Sequence, residues 1–249
     1  MSTDLRRLTS PGFAERTAGG NLVILLPVGS VEPHGPHLSL VTDTEISLGA
    51  AERAAARLRG HNLEVVIAPA VAYGVTDCAA GFTGAVSIPS GVLTAYLAAV
   101  VDGFLGAGAA HVCLVNNHLE PAHDQAVRAV LDGRPAARVS VACPLTRKWA
   151  RTLSDEFKSG ACHAGRYETS LALARDPTLC DESARQGLPE VPVSLSDKLK
   201  AGITTFADMG LERAYAGAPA AATAAEGEEL FRKLADMVVG EVLSALGVA

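Results

Sequence analysis

Apolar and polar positions along this chain change over in blocks rather than residue by residue. Four short runs, at 22–27, 63–68, 111–116 and 138–143, are apolar at nearly successive positions, the pattern of strands covered on both faces. Between and after them, at 44–58, 92–105, 121–131 and 145–157, apolar residues recur at helical intervals. Strand and helix in alternation predict an α/β fold, a three-layer αβα sandwich around a mostly parallel sheet. Thr42 and Glu45 have the spacing of a capping box for the first of these helices, and Pro121 suits the first turn of the third. An amphipathic helix over 226–246 closes the chain, with the Ala-rich stretch 218–225 leading into it, while 180–192 reads as a surface loop. No repeat or composition break divides the sequence. A single domain over 1–249 is therefore expected, and with 49% hydrophobic residues it can bury a large core.

Composition removes several classes of function. The net charge is −6 without a basic cluster, which argues against nucleic acid and anionic membrane surfaces as partners. The segment through Gly20 has no apolar core, and the uninterrupted apolar runs fall far short of the ~20 residues a membrane helix needs. A cytoplasmic protein acting on small metabolites or peptides is expected. Cys78, Cys113, Cys143, Cys162 and Cys180 are odd in number, widely spaced and without a C-x-x-C motif, so they predict reduced thiols.

Candidate chemistry follows directly after two of the predicted strands. The chain reads Gly29-Ser30-Val31-Glu32-Pro33-His34-Gly35-Pro36-His37, with Asp43 six residues on. Pro33, Gly35 and Pro36 keep this segment out of a helix, so Glu32 and His34, two apart, project to the same side. A second pair, His118 and Glu120, stands in the polar turn after the third strand, just before Pro121. Each pair places one imidazole and one carboxylate at a strand's carboxyl end, where open α/β sheets hold their sites. Together they suit two divalent metals side by side, with Asp43 free to bridge; zinc, iron(II) and manganese all accept such ligands. Ionised Glu32, Asp43 and Glu120 bring three negative charges against four positive. A bridging hydroxide would fill the deficit, and two-metal hydrolases hold their ions about 3.5–4 Å apart around such a nucleophile.

The order Glu32-x-His34, Asp43, His118-x-Glu120 and then His163-Ala164-Gly165-Arg166-Tyr167-Glu168-Thr169-Ser170 resembles the creatininase family of metal-dependent amidohydrolases, over about residues 22–173. Within it, the run from Asn116 through Glu120 to His123 resembles the branch that trims a modified precursor peptide in mycofactocin maturation. The resemblance implies a creatininase-like fold, a ring-like homo-hexamer, and one metal held by Glu32, Asp43 and His118 with a second held by His34, Asp43 and Glu120. It further implies that His163 donates a proton to the leaving nitrogen, with Glu120 and Glu168 completing the catalytic set, Glu168 either orienting His163 or approaching the metals. Two departures bear on substrate. Relatives that hydrolyse creatinine enclose it with tryptophans, whereas this chain has only Trp149, with Ser159 and Ala161 before His163. Many relatives carry a Glu-His pair where Cys78 and Ala79 stand. A peptide amide is thus the expected substrate, and a small cyclic amide or formamide the alternative. A non-catalytic assembly partner with structural metals is the reading from another class; closed structural zinc sites are rich in cysteine, and this set has none.

Other residues are read more plainly. His37 is a turn residue or supports a ligand from behind, His123 faces either substrate or solvent, and His61 and His111 are structural. Arg166 and Tyr167 either bind substrate or pack, Cys162 is not expected to be a nucleophile, and Gly29, Gly35 and Gly165 mark tight turns. The small residues Ser159, Gly160, Ala161 and Ala164 leave room for a peptide or pack beneath a loop.

Overall fold

In the computed structural model, which describes residues 3–248, the four expected strands form one parallel sheet. They are β1 (Leu22–Val28), β2 (Glu64–Ile67), β3 (His111–Asn116) and β4 (Val139–Ala142), in the order β2-β1-β3-β4. The chain runs from β1 to one edge and then crosses back to β3, so strand order reverses between these two central strands. Val28 lies opposite Asn116 in the β1–β3 register, and the segments that follow both strands leave the sheet side by side. This is the switch point at which doubly wound sheets bind ligands.

Helices cover both faces. In chain order they are α1 (Ser10–Thr17), α2 (Thr42–Leu58), α3 (Ser90–Gly106), α4 (Pro121–Arg128), α5 (Arg147–Ala150), α6 (Asp155–Ser159), α7 (Arg166–Arg175), α8 (Glu182–Gln186), α9 (Leu195–Lys200) and α10 (Ala224–Leu246). Alternate residues of β1 divide the core: Val23 and Leu25 pack with Ile46, Phe231 and Leu234 under α2 and α10, whereas Leu22, Ile24 and Leu26 pack with Leu93, Leu97 and Val127 under α3 and α4. The result is the three-layer sandwich the alternation implied. Among the described residues no helix is long and apolar enough to cross a membrane.

Three local expectations are corrected. Thr42 does not cap α2: Val41 holds that position without a side-chain bond, and the Thr42 hydroxyl donates to the Ser39 carbonyl at 2.6 Å. The stretch 145–157 is two helices, because the Ser154 hydroxyl accepts from the Phe157 amide and begins α6 afresh. The supposed surface loop 180–192 contains α8 and buries Arg185, whose guanidinium donates to the carbonyls of Pro219, Ala220 and Ala222 at 2.9–3.3 Å and pairs with Glu182. A buried cation needs all of these partners. Pro121 does open α4 as anticipated.

The packing of α10 on α7 depends on Gly227: a Cβ there would come within 1.9 Å of the Ser170 carbonyl oxygen. Gly227→Ala should therefore destabilise the protein by about 1–3 kcal/mol, the cost of overpacking when backbone rather than a flexible side chain must yield. Gly103→Ala, on α3 with open space around the new methyl, should instead stabilise by about 0.5–1 kcal/mol through helix propensity. Denaturant melts of the two variants check both signs.

Candidate active site

The site is assembled where β1 and β3 end. Ser47 on α2 ties the two exits together, its hydroxyl donating to the Val28 carbonyl at 2.7 Å and accepting from the Asn117 amide at 3.0 Å. Gly29 lets β1 leave against the first turn of α2, since a Cβ would lie 2.6 Å from the Thr44 amide nitrogen. That close approach carries Asp43, in the first turn of α2, into line with the two strand exits. A carboxylate is also favoured there by the helix dipole. Gly35, with φ of +66°, turns the segment back so that its amide reaches the Ala214 carbonyl at 2.8 Å. After β3, the Asn116 side chain brackets the next turn, accepting from the His118 amide and donating to its carbonyl, both at 3.1 Å. His163 and Glu168 arrive from the opposite side, just before and within the first turn of α7.

All seven side chains named as metal-type or catalytic from the sequence converge, and all are buried. His118 Nδ1 lies 2.9 Å from Asp43 Oδ2 and 3.3 Å from Glu32 Oε1; His34 Nε2 lies 3.1 Å from Asp43 Oδ1 and 3.6 Å from Glu168 Oε2. His163 Nδ1 is 3.7 Å from Glu32 Oε1. Three sets have ligand atoms all within 4.8 Å of one another: Glu32, His34 and His163; Glu32, His118 and Glu120; and His34, Asp43 and Glu168. This grouping differs from the ligand sets implied by resemblance. Glu120 stands with Glu32 and His118 rather than with His34, because both its oxygens are drawn to the amides of Asp77 and Cys78 at 3.1 and 3.0 Å. Glu168 takes the place beside His34 and Asp43, fixed by the Ala164 amide at 2.6 Å. Ala164 itself adopts a left-handed φ of +49°, a strained conformation for a non-glycine residue.

Burial opposes charge on every group here, and the neighbours decide which groups yield. Against that burial, His118 holds the Glu32 carboxyl down at about 2, and His34 and His118 hold Asp43 below the usual carboxylate range. Reciprocally, Asp43 and the other carboxylates outweigh burial to lift His34 to about 10 and His118 well above its ordinary value. Burial wins at Glu168, raised to about 8, and at Glu120, also raised. Burial and the nearby His34 lower His163 to about 4. Asp43 Oδ2 is fully buried without a hydrogen-bond partner, 2.9 Å from His118 Nδ1. An orphaned carboxylate oxygen facing imidazole nitrogens and other carboxylates is what a cation site presents. The donor set of nitrogen and oxygen, without thiolate, fits zinc, iron(II) or manganese.

A cavity of about 770 Å³ opens over the cluster. Glu32, His118, Glu120, His163 and Glu168 form its floor, Phe157, Leu195, Leu199 and Phe206 an apolar wall, and Arg147, Arg151, Lys158 and Lys200 a basic one. Phe206 stacks on the His163 ring with centroids 4.4 Å apart, an aromatic contact that sequence reading missed because nothing in the 203–211 loop marks it. Thr76 was missed likewise, and its hydroxyl donates to Glu32 Oε2. Trp149 turns away to donate to Glu241 on α10 at 2.6 Å. His37 lies behind His34 and bonds Thr169 Oγ1 at 2.9 Å, while His123 faces neither substrate nor solvent: it is buried behind His118, bonded to the Val75 amide and to Asn116. Tyr167 packs on Phe157 and Arg166 pairs with Glu226, so neither lines the cavity. Cys162 lines it, but burial holds its thiol well above the ordinary value, unsuited to attack. Of the small residues, Gly160 lines the cavity, whereas Ala161 and Ala164 are buried and do not line it.

The creatinine amidohydrolase (creatininase) family model matches residues 6–242. A Mycobacterium tuberculosis protein named mycofactocin precursor peptide peptidase is 34% identical over 230 residues, 88% of this chain and 84% of its own length. A crystal structure of creatinine amidohydrolase superposes with a TM-score of 0.74 at 21% identity, covering 98% of both chains. A manganese creatininase structure superposes with a TM-score of 0.72 at 22% identity, covering 99% of both. With a match that runs through nearly the whole sequence and takes in every member of the buried cluster, the chain belongs to the creatininase family of amidohydrolases.

Proposed function

We propose that the protein is a two-metal peptidase that cleaves an amide bond near the carboxyl terminus of a modified mycofactocin precursor peptide. The observation that carries the metal reading is the unbonded Asp43 Oδ2 standing between two ligand sets. Glu32, Asp43, His118 and Glu120 would hold one ion, and His34, Asp43 and Glu168 the other. With Glu168 included the cluster offers up to four negative charges, which balance two dications before any hydroxide is added. A peptide substrate is supported by the relative's name and by the roomy cavity, from which Trp149 is absent.

When bound, the ions supply Lewis acidity for the scissile carbonyl and lower the pKa of water. The chain's own groups handle the proton. His163 Nε2 lies 3.0 Å from the Pro33 carbonyl, which can only accept, so Nε2 carries hydrogen and Nδ1 is left to face the cluster. Nδ1 takes the proton released by the attacking water and returns it to the departing nitrogen. Phe206, stacked on the ring, fixes its plane and keeps water from that side. Thr76 occupies Glu32 Oε2, so Oε1 points toward His118 and His163.

Elemental analysis should find two divalent ions per chain, and Asp43→Asn should weaken both, because it removes the ligand they share. A single ion at saturation in the unmodified protein would sink the bridged arrangement. His163→Ala should lower turnover by at least ~10²-fold, the usual worth of a general acid–base group, with metal content nearly unchanged; loss of an ion instead would make His163 a ligand. Incubated separately with the modified precursor peptide and with creatinine, the metal-loaded protein should release the peptide's carboxyl-terminal fragment and leave creatinine untouched. Mass spectrometry distinguishes the two, and efficient creatinine hydrolysis beside an intact peptide would reverse the substrate assignment.

A further inference from the structure

The cavity's basic wall is unusual for a chain of net charge −6. Arg147 and Arg151 come from α5 and its carboxyl-terminal cap, Lys158 from α6 and Lys200 from α9, so three separate helices deliver cations to one opening. The acids that line the same cavity, Glu32, Glu120 and Glu168, belong to the buried cluster. Each lysine is already paired with an aspartate three residues before it, Lys158 with Asp155 at 2.6 Å and Lys200 with Asp197 at 3.0 Å. Arg147 and Arg151 differ. Among the described residues neither has a carboxylate within ion-pair reach, whereas Arg128 and Arg166 nearby are each tied to an acid. Four residues apart across one helical turn, they share a face.

Two guanidinium groups with free donors, at the mouth of a cavity with apolar walls, present a fork that matches a carboxylate in two-point geometry. The wall is not needed to neutralise the floor, whose carboxylates would be balanced by the ions they hold. We propose that Arg147 and Arg151 form an anion subsite that seats a carboxylate of the peptide substrate, with Lys158 and Lys200 adding positive potential around it. The proposal rests on the peptidase reading above and extends it to substrate class: the peptide carries an acidic group near the bond that is cut. That group is either the terminal carboxylate or an Asp or Glu side chain, which offer the same planar anion.

The test uses the metal-loaded protein and four synthetic versions of the modified precursor's carboxyl-terminal segment, with a free or amidated terminus and with acidic side chains kept or replaced by Asn and Gln. Binding is measured by titration calorimetry on the His163→Ala protein, and cleavage on the protein that retains His163. The double substitution Arg147→Gln with Arg151→Gln should raise Kd and KM for the fully acidic peptide by about tenfold or more, the loss of a charge-assisted bond in a partly enclosed site. Its kcat should stay within about twofold, with metal content and melting temperature unchanged, and the difference should shrink as salt is raised. Arg147→Lys with Arg151→Lys should restore part of the affinity, keeping charge without the fork. Whichever version of the peptide no longer distinguishes the parent from the Gln variant identifies the carboxylate. Equal binding of all four versions to the parent and Gln proteins overturns the subsite. If the parent binds the acidic versions through these arginines but cleaves none, the peptidase reading fails and the subsite stands.

Discussion

Everything near the ends of β1 and β3 answers to one constraint: four carboxylates, Glu32, Asp43, Glu120 and Glu168, are buried together. Ionised groups removed from water survive only with counter-charges or hydrogen bonds, and each of these has been given some. Glu120 accepts two backbone amides, Glu168 accepts one, Glu32 takes the Thr76 hydroxyl, and Asp43 sits at the positive end of α2 with an imidazole on each side. Asp43 Oδ2, fully buried and without a hydrogen-bond partner, marks where the protein's own groups stop short. As a creatininase-family enzyme the chain hydrolyses carbon–nitrogen bonds.

Supports of the cluster lie in the backbone as much as in side chains. Ser47 joins the two strand exits through α2, so a shift in that helix would move Asp43 and both strand-end pairs together. His37 and His123 stand behind His34 and His118 and are pushed down to about 4 and about 2, chiefly by burial. They are neutral packing and hydrogen-bonding groups, so they add no charge behind the floor of the cavity.

Above that floor the family's architecture leaves the walls free to vary. Here the wall comes from the pieces that sequence periodicity placed least well. The break at Ser154 splits a single expected helix into α5 and α6, which angles Arg147, Arg151 and Lys158 into the opening. The 203–211 loop brings Phe206 onto His163. The cavity therefore combines a charged floor, one aromatic face and a basic rim.

Much of this was legible in the residues themselves. The parallel sheet follows from short, continuously apolar runs, since only strands buried on both faces dispense with alternation, and the pairing of Glu32 with His34 and of His118 with Glu120 follows from extended backbone just past a strand. The order and spacing of these residues also pointed to the family. Only tertiary structure decided which carboxylate accompanies which histidine: Glu120 is held by amides more than forty residues away in sequence and Glu168 by a left-handed turn at Ala164. Neither contact has a sequence period. The same holds for the burial of Arg185 and the stacking of Phe206, because local pattern reports which face of an element is apolar, whereas the partners of a buried polar group are set by where distant loops return.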